Sequence, residues 1–229
     1  MIPTSLPRKL SVSSIIFDLD DTIIDTSGSI TPKFLEKALR AMMAQGLIID
    51  DFSAAAKKLF DLNKKVSSSS EVLDHFLKGQ KKSDKWKELG MRVFCKENLD
   101  FPFDMTPDAR NTLLLLSQRV TMHLVTIGDD EFQRLKLEKA GFEEGFFSTI
   151  SVCENNKYLV YQRLIEEFSY KPAEVLVCGD RIERDLVPAK ELGCQTAHMR
   201  WGRGRVEASG HEAVDFVIEG LGELLGVVQ

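Results

Sequence analysis

Two short apolar runs limit the folds open to this chain more than any other feature. Ile15-Ile16-Phe17 and Val175-Leu176-Val177-Cys178 carry no polar face. A strand of that kind must be covered on both sides, which a parallel sheet flanked by helices achieves. Each run ends abruptly in polar residues: Asp18-Leu19-Asp20-Asp21-Thr22 after the first, Gly179-Asp180 after the second. From Phe103 onward, strand and helix patterns alternate. Thr106-Pro107 opens a predicted helix through 113–116, followed by a strand over 120–126 and a helix over 130–140 that Gly141 closes. A strand over 146–152, a helix over 157–168, a strand over 175–178 and a helix over 185–192 closed by Gly193 come next. Short strands over 195–199 and 216–218 precede a terminal helix. The alternation predicts a doubly wound, Rossmann-like α/β core built on a parallel sheet.

Residues 28–104 break that alternation, so the core is assigned to 1–27 and 105–229 with a helical domain inserted between. Thr31-Pro32 reads as an N-cap followed by proline, with Phe34, Leu35, Ala38, Leu39 and Met42 at helical spacing and Gly46 as the stop. A second helix is predicted over 53–63. Ser68 and Glu71 have capping-box spacing ahead of Val72, Leu73 and Phe76. A fourth helix starts at Ser83 and carries Trp86, Leu89, Val93 and Phe94.

Composition narrows the function classes. A net charge of −5 gives no basic footprint for nucleic acid, and no apolar stretch has the length of a membrane span. Met1 to Lys9, broken by two prolines, does not read as a signal peptide. The four cysteines, Cys95, Cys153, Cys178 and Cys194, show no C-x-x-C spacing and read as reduced and buried, with a cytoplasmic location as the default. His75, His123, His198 and His211 are scattered and are assigned no chemistry. Monomer and homodimer are both compatible with the sequence.

Open α/β sheets build their sites at the carboxyl ends of the strands, and polar residues stand at several of those ends. Asp18 and Asp20, two apart on extended chain, face the same side. Two carboxylates in one small volume oppose each other's ionisation unless a hard divalent cation such as Mg2+ lies between them; solvated loop acids are the plainer alternative. Thr126-Ile127-Gly128 offers a hydroxyl and a glycine turn to a phosphate oxygen, or is an ordinary turn. Lys157, at a helix start that disfavours positive charge, either pairs with Asp18 and phosphate or is one more surface lysine. Asp180 follows the glycine at the sheet edge and reads as a metal ligand, whereas Asp185 suits a helix N-terminus.

Taken in order, these residues resemble the four motifs of the haloacid dehalogenase (HAD) superfamily. Asp18-Leu19-Asp20-Asp21-Thr22 is similar to its first motif, Thr126 to the second, Lys157 to the third, and Gly179-Asp180 through Asp185 to the fourth. Residues 135–150 also look like the family's stretch between its second and third motifs. The resemblance implies a Mg2+-dependent phosphatase acting on a small phosphorylated metabolite. It makes Asp18 the nucleophile that becomes an aspartyl-phosphate, and Asp20 the general acid and base. Asp18, Asp180 and the backbone carbonyl of Asp20 would hold the metal, with Asp185 orienting the site behind them. Thr126, Ile127, Gly128 and Lys157 would bind the phosphoryl group, and the helical insert takes the place of a C1 cap. Retention of an acid at position 20 favours phosphate esters over halides or phosphonates. A phosphomutase or phosphotransferase would carry the same motifs, and a non-catalytic binding protein would keep the fold. Arg181, where relatives carry a small residue, is expected to contact substrate or pair with Glu183, and Asp129 to be solvated or to add charge at the cleft rim. Lys33, Lys57, Lys58, Lys64 and Lys65 of the insert are candidates for steering an anion, with plain solvated helix faces the commoner alternative.

Overall fold

The computed structural model describes residues 10–143, 145–207 and 210–228, so the reading of residues 1–9 lies outside the described residues. The chain forms two compact units, Met1–Ile24 with Met105–Gln229, and Asp25–Asp104.

The first unit is built on a parallel six-stranded sheet, confirming the α/β class. The strands are β1 (Ser14–Phe17), β2 (Thr121–Ile127), β3 (Thr149–Cys153), β4 (Val175–Gly179), β5 (Gln195–Met199) and β6 (Phe216–Ile218), in the order β3-β2-β1-β4-β5-β6. All residues of β1 and β4 are buried, as their two-sided apolar character requires. The chain winds one way from β1 to β3 and the other way from β4 to β6. The reversal therefore falls between β1 and β4, the crevice where open α/β sheets bind ligands. Helices α5 (Ala109–Leu116), α6 (Asp130–Lys139), α7 (Tyr158–Glu167), α8 (Val187–Glu191) and α9 (Leu224–Val227) connect or follow the strands. Tyr161 and Leu164 of α7 and Ala189 of α8 pack with Ile16, Val125 and Val177 of the sheet.

Some boundaries differ from the sequence expectation for identifiable reasons. Helix α5 begins at Ala109, not Thr106: the Thr106 hydroxyl donates to the Thr22 carbonyl at 2.8 Å, and Asp108 takes the left-handed conformation with φ 58°. Strand β3 begins at Thr149 rather than 146, because Phe142, Phe146 and Phe147 pack on one another with ring centroids 5.0 to 5.5 Å apart. A wide π-type turn over Ile182–Leu186 precedes α8, where a continuous helix from Asp185 was expected.

The second unit comprises α1 (Thr31–Ala44), α2 (Phe52–Asn63), α3 (Ser69–Leu77) and α4 (Ser83–Met91), packed around Leu39, Met42, Leu59, Leu73 and Trp86. Thr31 does not cap α1. A π-type turn over Thr26–Ile30 runs into the helix, and the Asp25 carboxylate accepts from the Gly28 N–H at 3.1 Å. Asp51 and Ser68 cap α2 and α3. Glu71 returns to the N–H of Ser67 at 2.7 Å, one residue short of a reciprocal capping box. Val93 and Phe94 lie beyond α4. The five lysines singled out above are exposed, and Lys57 pairs with Asp61. The cysteines are unpaired thiols; Cys178 and Cys194 are buried, Cys95 and Cys153 half-buried. Among the described residues no helix is long and apolar enough to cross a membrane.

His123 is a structural residue of β2. Its ring nitrogens lie 2.8 Å from the Thr149 hydroxyl and 3.0 Å from that of Tyr170, and burial lowers its pKa to about 4. An unfolded histidine takes up a proton near pH 6.5, so the neutral ring supports the fold fully above that pH and progressively less towards pH 4. Between pH 8 and pH 5, urea denaturation should show the native chain losing about 1–2 kcal/mol more than His123→Gln. Equal losses would show that the ring does not resist protonation.

Candidate active site

The register of the sheet sets the site. Phe17 pairs with Cys178, and the N–H of Asp18 donates to the Cys178 carbonyl at 2.9 Å, so Asp18 and Asp180 leave adjacent strand ends together. The carboxylates of Asp18, Asp180 and Asp185 each place an oxygen within 4.8 Å of the others, and all three residues are buried. A side chain at position 179 would fall on the Asp185 carboxylate, so glycine alone fits there.

Lys157 holds this cluster. It stands at the N-terminal boundary of α7 with its side chain only 1% exposed, and its ammonium lies 2.5 Å from Asp18 and 2.7 Å from Asp185. Burial works against the charged ammonium, but Asp18 and Asp185 outweigh it and raise its pKa well above the usual lysine value. Asp18 is pushed up to about 7 by burial against the pull of Lys157, with Asp185 and Asp20 adding to the rise. Burial, followed by Asp21, Asp18 and Asp185, likewise raises Asp180 well above the carboxylate range. Lys157 can offset one of three negative charges, and the oxygen-only donor set suits a hard divalent cation.

Asp20 is placed differently. Its carboxylate is outside the acidic cluster and lies 2.7 Å from the ammonium of Lys136 and 2.9 Å from Nε2 of Gln133, both on α6. Its negative charge nonetheless acts on Asp18, whose pKa it helps to raise. The chain leaves the extended form at Asp21, whose φ is 57°, and Asp20 bridges back to Ile24. Asp185 is nearer the cluster than a plain helix-terminal acid: it accepts from the Arg181 N–H at 2.9 Å and pairs with Lys157.

At the end of β2, the Thr126 hydroxyl is buried and lies 2.7 Å from Nε2 of Gln133. The N–H of Gly128 donates to the Cys153 carbonyl at 3.1 Å, so this donor is used by the sheet rather than offered to a ligand. The Ile127 carbonyl accepts from Gln133 at 3.1 Å. Gly128 has φ 151°, and a Cβ there would press on the Gln133 side chain at 3.3 Å. Asp129, expected to be solvated or to add charge at the cleft rim, is exposed and caps α6 by accepting from the Phe132 N–H at 2.9 Å. Arg181 pairs with Glu207 at 2.8 Å.

Three participants escaped the sequence reading. Gln133 and Lys136 lie on the buried face of α6, where Leu137 is their apolar neighbour. Polar residues three apart on an inward helix face were the available signal. His198, opposite Gly179 in the register, lies with Nε2 3.0 Å from the Asp180 carbonyl. A carbonyl only accepts, so that nitrogen carries the proton and braces the turn bearing Asp180.

The haloacid dehalogenase-like hydrolase family matches residues 12–193. A glyceraldehyde 3-phosphate phosphatase of Pyrococcus furiosus is 29% identical, over 97% of this chain and 94% of its own. A phosphoglycolate phosphatase of Vibrio vulnificus is 25% identical, over 95% of this chain and 96% of its own. Among solved structures, the HAD-hydrolase YfnB from Bacillus subtilis bound to magnesium aligns with a TM-score of 0.65 at 19% identity, over 95% of this chain and 97% of that one. With its family match running from β1 through α8, the chain belongs to the haloacid dehalogenase-like hydrolases.

Proposed function

We propose that the chain is a Mg2+-dependent phosphatase that hydrolyses a small phosphorylated metabolite through an aspartyl-phosphate on Asp18. The observation that carries this reading is that two acids two residues apart have different partners. Asp18 sits against Lys157 in the buried acidic cluster, while Asp20 sits on Lys136 and Gln133. A nucleophile and a proton donor need different surroundings, and these differ. The phosphatase names of the relatives support the same reaction class.

In this reading the carboxylates of Asp18 and Asp180 and the backbone carbonyl of Asp20 hold the metal. Asp185, engaged by Lys157 and the Arg181 N–H, orients the cluster from behind. Bound Mg2+ would supply positive charge to the phosphoryl oxygens and offset the carboxylates. An oxygen of Asp18 attacks phosphorus, the ester P–O bond breaks, and the leaving oxygen takes a proton from Asp20. Asp20 then takes a proton from the water that attacks the aspartyl-phosphate, releasing phosphate and restoring Asp18. Lys157 stays charged beside Asp18 and spreads phosphoryl charge. Gln133 meets the Thr126 oxygen with a donor group, so the hydroxyl hydrogen of Thr126 points elsewhere and is available to a phosphoryl oxygen. Ile127 and Gly128 shape the turn beside that oxygen. By its place in the chain the helical unit corresponds to a C1 cap, and substrate choice is assigned to it.

Phosphate release from p-nitrophenyl phosphate and from a panel containing glyceraldehyde 3-phosphate and phosphoglycolate should require Mg2+. Asp18→Asn should lower it by about a thousandfold or more. A pure, folded chain that releases phosphate from none of these would defeat the proposal. Saturating Mg2+ should raise the melting temperature by about 5 °C or more, reversibly with EDTA. Asp180→Asn should abolish that shift while making the metal-free protein more stable than the native chain, because a buried acid is removed from a repelling cluster. A retained Mg2+ shift in this variant would remove Asp180 from the metal site.

A further inference from the structure

We infer that Gln133 and Lys136 are positioning residues that lock the carboxylate of Asp20 and the hydroxyl of Thr126 into one catalytic arrangement. This inference rests on the proposed role of Asp20 as acid and base, and deepens it. The two side chains stand three residues apart on α6 and both face inward. Lys136 reaches one carboxylate oxygen of Asp20 at 2.7 Å and Gln133 reaches the other at 2.9 Å. A carboxylate gripped at both oxygens by groups on one rigid helix has little freedom to rotate. Gln133 also meets Thr126 and the Ile127 carbonyl, so one amide ties the proton donor to the end of β2.

The arrangement is costly for folding alone. The Lys136 side chain is only 4% exposed, and burying an ammonium is unfavourable even when paired. Oε1 of Gln133 is buried and has no hydrogen-bond partner among the described residues. An apolar pair at these positions would pack the helix without either penalty. Gly128 and the cap of Asp129 serve the same end, the first by leaving room for Gln133, the second by fixing where α6 begins. Local rules broken together around one carboxylate point to function.

The test is the leaving-group dependence of kcat/KM with Mg2+, which covers only the steps up to transfer onto Asp18. Substrates run from 2,4-dinitrophenyl phosphate, which needs little protonation, to alkyl phosphates, which need it fully. Asp20→Asn should lose about a hundredfold or more on alkyl phosphates and far less on the dinitrophenyl ester. Lys136→Met and Gln133→Met should show the same slope at smaller size, about tenfold or more on alkyl phosphates and within about threefold on the dinitrophenyl ester. Lys136→Arg, which restores a charged donor, should recover most of the alkyl activity. Equal losses across the series in Lys136→Met and Gln133→Met, beside a steep slope in Asp20→Asn, would overturn the positioning role and leave the role of Asp20 standing. A flat series in Asp20→Asn would overturn both. Should Lys136→Met fail to give a cooperative melt, the comparison of Gln133→Met with Lys136→Arg decides by the same criterion.

Discussion

The contact of the Lys157 ammonium with Asp18 and Asp185 is the interaction on which the rest of the site depends. Lys157 is almost wholly buried, and an ammonium in that position survives only beside carboxylates. It is delivered from the start of α7, whose next turn anchors Tyr161 in the sheet-facing core. The lysine therefore cannot swing away without disturbing the packing of the helix. Its charge also leaves the carboxylate cluster incompletely neutralised, because Asp180 is held by neither ion pair. Folding thus stores an unmet demand for positive charge at the sheet's switch point, which a cation can satisfy.

Much of the fold was legible because its strands obey a simple rule. β5 and β6 run over the segments read from sequence, and β1 and β4 are within one residue, since two-sided apolar runs have few other uses. The helices of the second unit were legible from spacing and, at Ser68, from a cap. The misses have a common cause. Thr31 reads as a cap and Thr106 and Asp185 as helix starts, yet their local chain was claimed by another requirement. A π-type turn leads into Thr31, the Thr22 carbonyl takes the hydroxyl of Thr106, and Lys157 takes the carboxylate of Asp185. Local propensity loses where tertiary partners offer more. The Phe142, Phe146 and Phe147 cluster belongs to the same class, since an aromatic run reads as strand until its partners are known.

The site was legible only in part, and along a clear line. Acids at strand ends announce themselves, because a carboxylate directly after a buried strand has few structural excuses. Asp18, Asp20 and Asp180 were found that way. Lys157 carries no such mark. One lysine looks like another until the fold buries it, so the family resemblance rather than spacing pointed to it. Gln133, Lys136 and His198 were missed because their partners are distant in sequence: 113 residues separate Gln133 from Asp20, and 18 separate His198 from Asp180. Nothing local distinguishes such residues except polarity on an inward face, a sign that means little before the inward face is known.

The difference in surroundings between Asp18 and Asp20 comes from the backbone rather than from composition. Continued extended chain would have turned both carboxylates to one side and left them repelling each other. Asp20 still acts on Asp18, whose pKa it helps to raise, but the chain turns at Asp21 in the left-handed conformation, which an aspartate tolerates better than most residues. Beyond the turn, Asp20 meets cationic and amide donors from α6, while Asp18 meets Lys157 from the start of α7. Each acid is thus held from a different helix on a different crossover of the sheet. Two identical side chains two residues apart thus sit in different environments, because separate elements of the fold determine each, and the proposed division of roles rests on that difference.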